Sequence, residues 1–183
     1  MKTVVNKITI IFLSILSIML FIKCGNPFAD DKLSLPLTPY IGNQLRIDGY
    51  YYYIGTDIDG GKFFKSFIFY RNGVILDLGS GYNSTIELEE RLNKYNASPE
   101  SFGKAKHWWG VYLIENSIIK VENWYPASIN WKACIREGVI LNDTTFHITK
   151  SYCSGSRKVN TQDEVYHFRQ FSPKPDSTNN FIR

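Results

Sequence analysis

From residue 46 to residue 171, apolar and polar side chains alternate in eight short runs, roughly 46–54, 62–71, 74–79, 107–115, 118–125, 133–141, 144–151 and 164–171. A period of two is what a half-buried strand requires, because successive side chains leave a strand on opposite faces. Turn residues punctuate the runs and predict three hairpins. A two-residue loop at Asn72-Gly73 pairs Phe69 with Leu76 and Phe67 with Leu78, on one face with Val74, while Ser66 and Asp77 point the other way. A loop at Asn116-Ser117 pairs Ile114 with Ile119 and Tyr112 with Val121, leaving Lys120 and Glu122 opposite; a slip of one residue would bury both charges. The same hairpin sets Trp109 against Trp124 as an outward pair. A third loop, at Asn142-Asp143, gathers Val139, Leu141, Phe146 and Ile148 with Glu137 on their face, and the last run sends Tyr166 and Phe168 inward and His167 and Arg169 outward.

One stretch departs from this rhythm. Ser84-Thr85-Ile86-Glu87 reads as a capping box, followed by Ile86, Leu88 and Leu92 at helical spacing through about Tyr95. The expected fold is therefore all-β: an antiparallel up-and-down barrel of about eight strands with one short helix, over residues 45–172. Closing the sheet leaves no exposed edge. Residues 24–44, with Pro27, Pro36 and Pro39, read as a tether, and residues 173–183 as a polar C-terminal tail.

The N-terminus is of another kind. Lys2 and Lys7 precede an apolar run from Ile8 to Ile22, and Cys24-Gly25-Asn26-Pro27 follows. At about 15 residues the run is shorter than the roughly 20 a membrane-spanning helix needs. Residues 1–23 resemble a bacterial lipoprotein signal. That resemblance implies cleavage before Cys24, acylation of its thiol, and a chain held at the membrane of the cell envelope by its lipid. The absence of Asp immediately after Cys24 fits export to the outer membrane.

Removing residues 1–23 takes away Lys2, Lys7 and Lys23, so Lys plus Arg falls from 21 to 18 against 17 Asp plus Glu, a net charge of about +1. No basic stripe remains to suggest nucleic acid. Aromatic residues make up 15% of the chain, which suits pleated surfaces. Besides Cys24 the cysteines are Cys134 and Cys153, which can form a disulfide in an exported protein or remain as two thiols; neither has zinc-ligand spacing.

At its first strand the chain carries Gly49-Tyr50-Tyr51-Tyr52, where lipocalins often show Gly-x-Trp, and it continues through Gly110-Val-Tyr-Leu-Ile114, Ile118 to Trp124 and Gly138-Val-Ile-Leu141. In these features it resembles the lipocalin-like (calycin) barrels of small bacterial lipoproteins. The resemblance implies a small apolar ligand in the barrel mouth, with Phe67, Phe69, Trp108, Tyr112 and Tyr166 as the candidate lining. The competing reading is a filled barrel acting through surface aromatics on a protein or glycan, with its partner unidentified.

Other chemistries find little support in the residues. Asp57-Ile-Asp59-Gly60-Gly61 has the opening spacing of a calcium loop, but Lys62-Phe63-Phe64 follows and the reading is a glycine-rich turn. His107, His147 and His167 fall on three different runs, so neither a metal nor another cofactor is expected. Ser154-Gly155-Ser156-Arg157-Lys158 reads as a solvated loop, and Glu89-Glu90 diverge on the helix. There is no Gly-x-Ser-x-Gly elbow and no P-loop, so no catalytic role is expected.

Overall fold

The computed structural model describes residues 29–97 and 104–183; Cys24 and the signal segment lie outside the described residues. Eight antiparallel strands close into an up-and-down barrel in sequence order: β1 (Gly49–Thr56), β2 (Lys62–Phe69), β3 (Val74–Tyr82), β4 (Trp109–Glu115), β5 (Ile118–Pro126), β6 (Trp131–Asn142), β7 (Thr145–Cys153) and β8 (Val159–Gln170). β8 returns to pair with β1, from Gly49 opposite Gln170 to Tyr52 opposite His167. Among the described residues a single α-helix, α1 (Thr85–Ala97), follows β3, and a short 3₁₀ turn, Lys106–Trp108, leads into β4. Half of the capping box forms, with Ser84 Oγ accepting from Glu87 N at 3.1 Å, while Glu87 Oε2 reaches one residue past the cap and accepts from Asn83 N at 3.0 Å. The buried stripe of α1 is Leu88, Leu92 and Tyr95, whereas Ile86 faces solvent.

The hairpin at Asn116-Ser117 has the expected register, with Ile114 opposite Ile119 and Tyr112 opposite Val121. Both turn residues take positive φ, as a type I′ turn requires. The other two hairpins differ by one residue. Tyr70 N donates to Val74 O at 3.0 Å and Gly73 N to Tyr70 O at 3.1 Å, leaving a three-residue loop that ends on Gly73 at φ 84°. Phe69 therefore faces Ile75 and Phe67 faces Asp77, so Asp77 points into the barrel while Leu76 and Leu78 point out. Alternation does not distinguish these registers, because both faces of this wall are apolar and buried. The outer face of β1–β4 is covered by α1 and the C-terminal residues, forming a second apolar cluster with Tyr50, Ile68, Val74 and Trp109. In the third hairpin a bulge between Ile140 and Asn142 turns Ile140 inward beside Phe146 and leaves Val139 and Leu141 outside.

The segments flanking the barrel are laid against it. The stretch expected to be a tether begins at the rim, where Asp31 N donates to Trp131 O at 2.9 Å, and descends the outer wall. Glu122 fixes it midway: Ser34 N, Ser34 Oγ and Leu35 N all donate to this buried carboxylate at 2.7–2.8 Å. Tyr40 and Leu45 then stopper the far end, with Tyr40 Oη accepting from Leu45 N at 2.8 Å. The C-terminal residues are docked as well: Lys174 donates to Ile47 O and Phe69 O, and Phe181 and Ile182 pack on the outer cluster. Trp109 and Trp124, expected as an outward patch, are both covered. Trp109 lies in the outer cluster, and Trp124 donates its Nε1 to Asp31 O at 2.7 Å beneath the N-terminal segment.

The stoppered half of the barrel is filled with aromatic rings. Tyr51 contacts Phe69, Phe146 and Phe168 at centroid distances of 5.1–5.5 Å, Phe69 meets Tyr112 edge-on at 4.9 Å, and Phe146 stacks on Tyr166 at 4.8 Å. Tyrosine tips there find carbonyls, Tyr51 on Arg46 O and Asp143 O and Tyr112 on Tyr70 O. Large side chains with polar ends suit this place, since each ring buries area and each hydroxyl reaches a partner.

Candidate ligand site in the barrel mouth

Four connections cap the opposite end: residues 57–61, the α1 excursion, residues 127–130 and residues 154–158. Beneath them a cavity of about 480 Å³ opens between β2, β3, β5, β6, β7 and β8. Inward-facing positions that are apolar lower down become polar here. On β5 the face that carries Ile119 and Val121 continues to Asn123 and Tyr125; on β6 it brings Arg136 opposite Val121 and Ser151. Gly110, opposite Asn123, lets β4 approach closely, because a Cβ there would meet Glu122 O at 2.2 Å.

Arg136 is the centre of the network. Its side chain is 9% exposed and donates to Asp77 Oδ2 at 2.6 Å, to Asn123 Oδ1 at 3.4 Å and to Tyr125 Oη. Asn123 Nδ2 donates to the same Asp77 oxygen at 2.9 Å, so one carboxylate binds two donors. The guanidinium rests on the Phe67 ring, 4.7 Å from its centroid. Burial works against its charge, but Tyr125 and Asp77 beside it raise its pKa above the ordinary arginine value. Its Nε is buried without a partner.

A second ion pair joins Lys65 to Glu164, and Tyr166 Oη donates to the other Glu164 oxygen at 2.9 Å. Burial holds the Tyr166 phenol protonated well above its usual range. The charges lining the cavity are thus two cations, Lys65 and Arg136, set against two carboxylates, Asp77 and Glu164. The rim is less polar. Trp108, Trp124 and the imidazole of His107 contribute to it, and burial lowers the His107 pKa. On the neighbouring wall a disulfide joins Cys134, which pairs with Asn123, to Cys153 across β6 and β7.

Of the five residues expected to line a ligand cavity, Trp108 does so. Phe67, Phe69, Tyr112 and Tyr166 are instead packed solid, each at most 2% exposed, with Phe67 and Tyr166 beneath the polar network and Phe69 and Tyr112 deeper. The open, dry apolar cavity they were expected to line is replaced by one nearer the rim, whose walls are largely apolar and whose floor is ionic. Lys65, Asp77, Asn123, Arg136 and Glu164 escaped the sequence reading. Asn123 carried a signal, since a polar residue on the inward phase of a strand with a settled register must either meet a partner or line a cavity. Asp77 and Arg136 did not, because the slipped hairpins placed both outside.

The histidines do not converge. His107 is at the rim, His147 meets Asp163 at 2.8 Å on the outer surface, and His167 lies beside the Tyr52 ring. Among the described residues no three His, Cys, Asp or Glu side chains are grouped as ligands for a metal ion, and no helix is long and apolar enough to cross a membrane. Asp57 caps its own turn, accepting from Asp59 N at 3.1 Å and Gly61 N at 2.6 Å. Comparison with family models, curated proteins and solved structures gave no match.

Proposed function

We propose that this protein is a lipoprotein anchored through acylated Cys24 at the cell envelope, with outer-membrane placement. In this reading it works as a lipocalin-like binding protein rather than an enzyme. The observation that carries the reading is the division of the barrel interior. One half is closed by aromatic packing, and the other holds an open cavity of about 480 Å³ over a preformed ion-pair network. A site of this size suits a small molecule. Its ligand has an apolar or aromatic face for Trp108 and the disulfide wall, and a hydrogen-bonding group for the Arg136–Asp77–Asn123 floor. It differs from the wholly apolar ligand of the sequence reading in that second requirement.

Two experiments test the two halves of this reading. Labelled palmitate should enter the wild-type chain in a bacterial host and fail to enter Cys24→Ala; equal labelling of both would remove the anchor. For the mouth, anilinonaphthalene sulfonate combines an aromatic body with a hydrogen-bonding anionic group, and should bind one per chain with saturation. Gln162 lines the cavity and is half-buried, so Gln162→Trp narrows it without touching the aromatic core. That change should weaken the probe at least about tenfold, or about 1.4 kcal/mol. Non-saturating binding, or binding indifferent to Gln162→Trp, would rule out the mouth as the site.

A further inference from the structure

We infer that the open end of the barrel is the end that faces and touches the lipid surface. The inference rests on Cys24 as the attachment point, but its evidence is the geometry of the described residues. The N-terminal segment is pinned at the rim: Ala29 O accepts from Asn130 Nδ2 at 3.1 Å, and Asp30 Oδ1 accepts from Trp131 N at 3.0 Å. Cys24 precedes Ala29 by five residues. No conformation of five residues spans more than about 18 Å. The longest strands have 12 residues. At ~3.3 Å per residue and a tilt of ~40°, that puts the closed end roughly 30 Å from the mouth. A lipid on Cys24 cannot reach past the barrel wall to bring the stoppered end onto the membrane, whereas the mouth lies within its reach.

The side chains at this end fit the same orientation. Three β-branched residues around the mouth are open to solvent: Ile58, fully exposed, and Ile129, at 61%, lie in two of the connections, and Val159, at 60%, opens β8 opposite Tyr152. Exposed Arg157 and Lys158 precede Val159, and Lys62 follows the first turn. Ile58 itself sits between the exposed carboxylates Asp57 and Asp59, so the fit to a bilayer is made by the apolar side chains entering the interface, with Arg157, Lys158 and Lys62 placed to meet headgroups. The occupant of this face is therefore the bilayer itself, and the cavity opens onto it. A ligand can then pass between membrane and barrel without crossing bulk water.

The test separates this orientation from lipid modification in the cell. The chain from Cys24 onward contains every described residue, and with Cys134 and Cys153 paired its remaining thiol is Cys24. Coupling that thiol to a maleimide-bearing phosphatidylethanolamine in phosphatidylglycerol/phosphatidylethanolamine vesicles supplies the anchor chemically. Amide hydrogen exchange is then compared between vesicle-bound and free protein. Slowed exchange is expected at 57–61, 127–130 and 154–159 and not at 71–73, 116–117 or 143–144. Combining Ile58→Asp, Ile129→Asp and Val159→Asp, all on exposed positions, should abolish the slowing while the tether remains. Slowing at the closed-end turns, slowing at neither end, or slowing that survives the triple substitution would each overturn the inference.

Discussion

Replacing Asp77 with alanine should lower the free energy of unfolding by about 3–5 kcal/mol, because it strands the Arg136 guanidinium in the barrel. Arg136 has its charged partner in Asp77 at 2.6 Å, and Asn123 Nδ2 donates to the same oxygen at 2.9 Å as well as to His107 O at 3.3 Å. The alanine variant thus leaves a buried cation without its counter-charge, and it keeps the cost of leaving water without the return. Asp77→Asn keeps the shape and loses the charge, so it should fall between wild type and alanine. Pairing Asp77→Leu with Arg136→Met removes both charges together and should be less costly than Asp77→Ala alone, since an ion pair in a protein interior roughly breaks even against apolar residues of similar volume. Urea unfolding at neutral pH, followed by tryptophan fluorescence, measures all four chains. A loss under about 1 kcal/mol for Asp77→Ala would mean that water reaches the network and solvates Arg136, and the floor of the mouth would then be an exposed surface rather than a preorganised one.

Much of the barrel could be read from the chain, and what could not has a physical reason. The Asn116-Ser117 hairpin was legible because Lys120 and Glu122 make its two registers unequal in energy. The stretch from Phe67 to Leu78 offers no such contrast: apolar residues occupy both phases, and its outer face is buried under α1. Alternation reports burial, and a wall buried on both faces has little to report. Residues 29–44 were misread for a related reason. Their prolines and lack of periodicity exclude regular structure, yet the chain still docks by single contacts, with Glu122 accepting three hydrogen bonds from Ser34 and Leu35. Nothing local in Ser34 or Leu35 announces a partner nearly ninety residues away. The site suffered most from this. Its ionic centre joins β3, β5 and β6, and the slipped registers at Asn72-Gly73 and Asn142-Asp143 put both Asp77 and Arg136 on the wrong face.

That division of the interior has a consequence for specificity. In a barrel of eight strands there is space for a packed interior or for one small ligand. Here the aromatic half is the packed interior, and the Arg136 network forms the boundary with the ligand space. Phe67 belongs to both, with one face in the ring cluster and the other under the guanidinium. A fully apolar ligand entering the mouth would desolvate the boundary while offering it no hydrogen bonds. This disfavours simple hydrocarbons and favours molecules with an acceptor.

Phe146→Ala moves the boundary and supplies the sharpest test of how the interior is divided. Phe146 is fully buried, stacked on Tyr166 at 4.8 Å and in contact with Tyr51 and Phe69. Truncation removes a ring from the middle of a cluster held on all sides by strand backbone, which limits collapse. The expected cost is about 3–5 kcal/mol, from lost transfer energy together with the cavity left behind. The void is lined by aromatic and aliphatic groups and should stay dry, because a water there would find too few partners. The variant should therefore acquire a site for benzene that wild type lacks, seen as a rise in thermal midpoint on adding benzene, while its affinity for anilinonaphthalene sulfonate in the mouth changes little. The two readouts separate the compartments. If wild type also gains stability from benzene, the aromatic half already has ligand-sized space and the apolar-carrier reading returns. If Phe146→Ala weakens the sulfonate probe as strongly as Gln162→Trp does, the mouth depends on the ring cluster for its shape, and the polar network is not an independent floor.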